Sequence, residues 1–254
     1  MNKGIKMLNR LIIKISIMII CLTIAWGLKY QYSKGNSDSL CWILAPTAYL
    51  VEITGDMRFE KETGAGFVDH ESGIIIAPSC SGVNFMIIVF CLSAYRGLIK
   101  IGKTGQQFMW IIASLAGAYI YTLLVNTFRI HLSIYSIRRD FLQAWFSGET
   151  VHLIEGVLVY FISLIILNSL LSRIMEPDFS IKSEKPCIFI RRLLIPFSFY
   201  LFFTLLVPVL NHGGLIRNNG FSRYTFIVLT GCFVVFTISF LFRMSCHYVA
   251  ARVK

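Results

Sequence analysis

The stretch QQFMWIIASLAGAYIYTLLVNTF, from Gln106 to Phe128, carries no charged side chain until Arg129 closes it. At 1.5 Å per residue, a helix needs about 20 such residues to cross about 30 Å of hydrocarbon, so this run reads as a membrane span. Five more stretches read the same way: Leu11 to Leu28, Pro78 to Gly97, Val151 to Leu171, Leu193 to Leu210 and Tyr224 to Phe242. The expectation is an all-α membrane protein of about six transmembrane helices, forming one polytopic domain over residues 1–254. Composition agrees, with 56% hydrophobic and 15% charged residues and a mean hydropathy of +0.69, too apolar for an ordinary soluble domain.

The net charge of +11 would raise the question of nucleic acid in a soluble protein. Here the basic residues collect at the ends of apolar runs, where they anchor helices and set orientation, and no nucleic-acid partner is expected. Lys and Arg in alternate connections number fifteen on one side (the N-terminus, Arg96 to Lys103, Arg173 to Arg192 and the C-terminal tail) against nine on the other. Positively charged short loops stay in the cytoplasm, so both termini are expected there. Lys3, Lys6, Arg10 and Lys14 before an apolar run resemble a signal peptide, but no small-x-small cleavage site follows, and the segment is read as a retained anchor.

The first outer connection is irregular. Leu40 to Thr54 is apolar but short, contains Pro46 and Glu52, and is expected to be an interfacial or re-entrant helix. From Met57 to Ala77, turn residues separate short runs, which suits a small hairpin. Seven cysteines show no CxxC pair and no His/Cys metal spacing, so no metal or other cofactor is expected.

Three reactive side chains fall at the outer ends of consecutive spans: Cys80 opens the second, Arg129 closes the third and His152 opens the fourth. Pro78 and the candidate N-cap Ser79 put the thiol in a first helical turn, where the helix dipole lowers a thiol pKa. Asn126 and Arg129 are three apart and share a helix face, as do His152 and Glu155. A guanidinium can stabilise an oxyanion, and an imidazole is the usual general acid/base near neutral pH. His131 is the rival imidazole, and Asp140 rivals Glu155 as its partner. Thiol, imidazole and guanidinium at one membrane face are the components of cysteine-based acyl transfer.

Cys80-Ser81-Gly82, Asn126-Thr127-Phe128-Arg129 and His152, in that order, resemble the exosortase/archaeosortase group of multi-pass membrane transpeptidases. The likeness covers about Leu40 to Leu171, with Val83 where many members have isoleucine, and the Ala77-Pro78-Ser79-Cys80 lead-in is similar to the exosortase K branch. The last two spans carry no motif. The resemblance implies a bacterial inner-membrane enzyme that cleaves secreted proteins ending in a short motif, a transmembrane helix and a basic tail. Cys80 would be the nucleophile, Arg129 the oxyanion stabiliser and His152 the acid/base, with Ser81, Gly82, Asn126 and Glu155 in support. The acyl group would pass from a Cys80 thioester to an amine, a glycan or water. Two other readings compete. A membrane transporter or polysaccharide-export subunit would need polar residues near mid-membrane, where Asn84 and Ser114 are among the few. A serine protease would use Ser81 instead of Cys80.

Overall fold

The computed structural model describes residues 3–139, 147–175, 186–211 and 219–252. Helices dominate, and six of them are long and apolar enough to cross a membrane: Leu11–Lys34, Pro78–Lys100, Thr104–Ile137, Gly148–Met175, Arg192–Leu210 and Gly220–Leu241. The protein is an all-α, multi-pass membrane protein. The chain divides into two compact units, Met1–His131 and Leu132–Lys254.

In the first unit, α1 (Lys3–Lys34) packs on α3 (Val83–Lys100), and the first part of α4 (Thr104–Arg139) follows α3 after a short link. Ile17, Cys21 and Ala25 of α1 are buried at a spacing of four, while Leu11, Met18, Leu22 and Trp26 are exposed. A helix apolar on all sides that buries only one stripe presents the remainder to lipid. Cys21 lies within electrostatic reach of Cys91, and the Lys29 ammonium donates to Asn84 Oδ1 at 2.7 Å, so α1 and α3 run antiparallel. α3 is the enclosed helix: 72% of its apolar length lies inside the protein, against 17% for α1. Trp110 of α4 closes onto α3, its indole N–H donating to the Ser93 carbonyl at 2.9 Å and its ring filling the space where Gly97 lacks a Cβ.

α2 (Cys41–Thr54) is the short apolar helix expected between the first two spans. Leu40, Ile43, Leu44, Thr47, Ala48 and Val51 recur at helical spacing and are all buried. Pro46 has no N–H for the Trp42 carbonyl one turn back, and the Tyr119 phenol of α4 donates to that oxygen at 2.9 Å.

The expected hairpin is a three-stranded antiparallel sheet, β1 (Glu60–Glu62), β2 (Gly66–Asp69) and β3 (Ile74–Ile76) in that order. Glu60 pairs with Val68 and Phe67 with Ile76. The charged β1 has no alternation to betray it; it is recruited by backbone pairing to β2, with His70 Nε2 3.1 Å from a Glu62 carboxylate oxygen. Asp69 shapes the second turn: its carboxylate accepts from the Glu71 N–H and the Ser72 hydroxyl, and Gly73, at φ 68°, donates to its carbonyl. Ser37 bonded to the Gly64 carbonyl and Lys61 paired with Asp38 tie the sheet to the connection between α1 and α2.

The second unit packs α5 (Gly148–Met175) against both α6 (Pro186–Leu201) and α8 (Asn219–Arg252). Phe161, fully buried, meets the rings of Phe197 and Tyr200, and Gly231 of α8 admits Val157 of α5. Pro196 leaves the Arg192 carbonyl without its helical donor, and Asn168 of α5 supplies an amide N–H at 3.0 Å. A π-helical turn, Phe202–Leu206, leads into α7 (Val207–Asn211).

Candidate functional site

Chain direction at the cysteine is set by two unlike turns. After β3, Pro78–Cys80 forms a 3₁₀ turn in which Cys80 N–H donates to the Ala77 carbonyl at 2.8 Å and Ser81 N–H to the Pro78 carbonyl at 3.1 Å. Gly82 then takes a left-handed conformation, φ 71° and ψ 11°, and α3 begins at Val83, with Met86 N–H closing the first turn onto the Gly82 carbonyl. Sequence placed Cys80 in the first turn of the long helix, capped by Ser79; the capping position belongs to Gly82 instead. Pro78 and Ser79 do start a helical turn, but of the tighter kind, and a glycine free to enter positive φ ends it. Cys80 is half-buried at this corner, and Ser81 is fully buried with no hydrogen-bond partner for its hydroxyl among the described residues.

Asn126, fully buried on α4, joins two of the three motifs through one amide. Its Nδ2 donates to the Cys80 carbonyl, and its Oδ1 accepts from Arg129 Nε at 3.2 Å. Arg129 is only 4% exposed, so its charge points into protein and not toward headgroups. It does not end its helix: α4 continues to Arg139, because the loss of uniform apolarity that stops a span does not stop helical hydrogen bonding. Tyr32, near the end of α1, lies within electrostatic reach of both Cys80 and Arg129. The rival imidazole, His131, is engaged elsewhere, its Nε2 2.6 Å from the Thr54 hydroxyl at the end of α2.

His152 belongs to the second unit, in the second turn of α5 rather than at its start. Its Nδ1 lies 3.0 Å from the Ser133 hydroxyl, a partner not foreseen in the sequence. Glu155, expected to orient the ring, is buried and its Oε2 has no hydrogen-bond partner among the described residues. Asp140 lies outside the described residues. Among those described, no group of three His, Cys, Asp or Glu side chains is placed to hold a metal ion.

The structure thus assembles Cys80, Asn126 and Arg129 in the first unit and joins His152 to Ser133 in the second. Tyr32 and Ser133 were missed. Tyr32 does continue the Ile17, Cys21, Ala25 stripe by one further turn past Lys29, which is a signal readable from spacing alone. Compared with family models, curated proteins and solved structures, the chain matches none.

Proposed function

We propose that the protein is a membrane-embedded cysteine transpeptidase of the exosortase type, acting at the outer face of a bacterial inner membrane with both termini in the cytoplasm. Its substrates are secreted proteins with a C-terminal motif, transmembrane helix and basic tail. The observation that carries the reading is the single Asn126 amide that grips the Cys80 backbone and the Arg129 guanidinium at once. Two motifs far apart in sequence are thereby coupled as a nucleophile and its oxyanion partner would need to be. The burial of the Ser81 hydroxyl favours sulfur over that oxygen as the nucleophile.

In the proposed reaction Cys80 Sγ, as thiolate, attacks the scissile carbonyl carbon, and the oxygen takes the negative charge beside Arg129. Collapse breaks the C–N bond, and the leaving amine receives a proton from His152 Nε2, the ring being held at Nδ1 by Ser133. The acyl group rests as a Cys80 thioester. An incoming amine, glycan hydroxyl or water gives its proton to His152 and displaces the sulfur. A substrate tethered by its own helix presents its scissile bond at a fixed depth, which supplies part of the rate through proximity.

The test is co-expression with a secreted protein that ends in such a tail, followed by mass spectrometry of the Cys80 peptide. A thioester adduct is expected, absent in Cys80→Ala and retained in Ser81→Ala. A transporter would form no adduct and would keep its function when Cys80 is replaced; that result overturns the proposal.

A further inference from the structure

We propose that Tyr32 is part of the same site, its phenol O–H serving as a hydrogen-bond donor to the Cys80 sulfur when that sulfur is negative. α1 and α3 are antiparallel, with Lys29 bonded to Asn84 at 2.7 Å and Cys21 within electrostatic reach of Cys91. Each step along α1 toward its end is matched by a step back along α3 toward its start. Three residues beyond Lys29, about 4.5 Å along the helix axis, that correspondence has run past the start of α3 at Val83, to the end of the helix from which the Cys80–Gly82 corner leads off. Tyr32 is on the correct face, since Ala25, Lys29 and Tyr32 follow one another at spacings of four and three.

Three further observations concern its chemistry. Tyr32 is within electrostatic reach of both Cys80 and Arg129. The Lys29 ammonium lies 5.4 Å from the Tyr32 ring centre, so the cation that bonds Asn84 also braces the phenol. Tyr32 is half-buried, whereas its neighbour Tyr30 is exposed, stacked on Trp26 and bonded to Lys34. Arg129 from α4 and Lys29 from α1 are both cationic and both act on Tyr32, and a neutral donor beside them adds direction to their field. No proton leaves the phenol; the thiol proton is lost to base, and the O–H dipole favours the resulting anion.

This inference rests on Cys80 as the proposed nucleophile, but its test reads the thiol directly. The full chain in lipid vesicles is treated with iodoacetamide over a range of pH, and alkylation of the Cys80 peptide is followed by mass spectrometry. In Tyr32→Phe the midpoint should rise by about one pH unit, making alkylation near neutrality about tenfold slower. Tyr30→Phe should leave the curve in place. Incorporating 3-fluorotyrosine at position 32, which keeps the shape and strengthens the donor, should move the midpoint down. Coincident wild-type and Tyr32→Phe curves, or an equal shift from Tyr30→Phe, overturn the role of Tyr32. Absence of the substrate thioester overturns the transpeptidase reading without touching this result.

Discussion

Asn126 is the residue on which the first unit's site turns, because one side chain satisfies a carbonyl on the cysteine segment and a guanidinium on its own helix. Replacing it with alanine should slow thioester formation on Cys80 by about as much as Arg129→Ala, roughly 10²- to 10³-fold, the range for losing one oxyanion donor. The two losses should combine less than additively, since each disables the same unit. Single-turnover rates of adduct formation across the cycle check this, and full additivity would count against it. Elsewhere, Asp69 makes a prediction about acid. The Ser72 hydroxyl above all, with the Glu71 and Ser72 N–H groups, holds its carboxyl below the ordinary carboxylate range, while being covered works in the other direction. A depressed folded pKa gives the turn stability that is complete above the unfolded value near 3.9 and is lost as pH falls through the folded value. Protection of the β2 and β3 amides, measured relative to intrinsic exchange at each pH, should therefore fall on acidification below about pH 4, and in Asp69→Asn should be low and flat over the same range.

Among the elements, α2 and α6 each contain an internal proline, and each of these two is answered from a neighbouring helix. Pro46 orphans the Trp42 carbonyl and Tyr119 fills it; Pro196 orphans the Arg192 carbonyl and Asn168 fills it. In hydrocarbon an unmet carbonyl has no water to turn to, so the device is required where a span or buried helix is broken. Tyr119→Phe should destabilise by about 1 to 3 kcal/mol, the cost of a buried acceptor left unsatisfied. In a Pro46→Ala background the restored N–H should remove most of that cost, which denaturation in mixed micelles across the four variants would measure. The spans were legible because length and apolarity report a helix directly, and the i, i+3 spacing of Asn126 and Arg129 disclosed their common face. What pairs across helices was not legible. Ser133 is an ordinary helical residue in sequence, and only packing distinguishes it from the exposed Ser33; spacing marks Tyr32 as lying on the buried stripe of α1, but not what it meets there. The corner at Cys80 was misread for a related reason: proline and serine announce a turn without saying which kind, and the glycine two residues on decides.

For the whole molecule, the proposed topology puts both ends of the chain in the cytoplasm, with six spans among the described residues and Lys and Arg gathered in alternate connections. Reporter fusions at either terminus should be active only in the cytoplasm, while a cysteine-reactive, membrane-impermeant probe should reach residues of the β1–β3 sheet, such as Ser72→Cys, from outside. An external terminus or an internal sheet would invert the proposed chemistry. The sheet itself shows why counting hydrophobic residues recovers the spans and not what stands between them: Glu60-Lys61-Glu62 becomes a strand only because β2 offers an edge.

Gly82 has a bearing on how such a site can fail. At φ 71° the backbone between sulfur and helix tolerates hydrogen and little else. Alanine there would touch no reacting group, yet it would press the chain to unwind its corner, swinging the sulfur away from the cations. Damage of this sort would escape a survey confined to functional groups. In the proposed transpeptidase, one added methyl at Gly82 should lower activity with every reacting group still present.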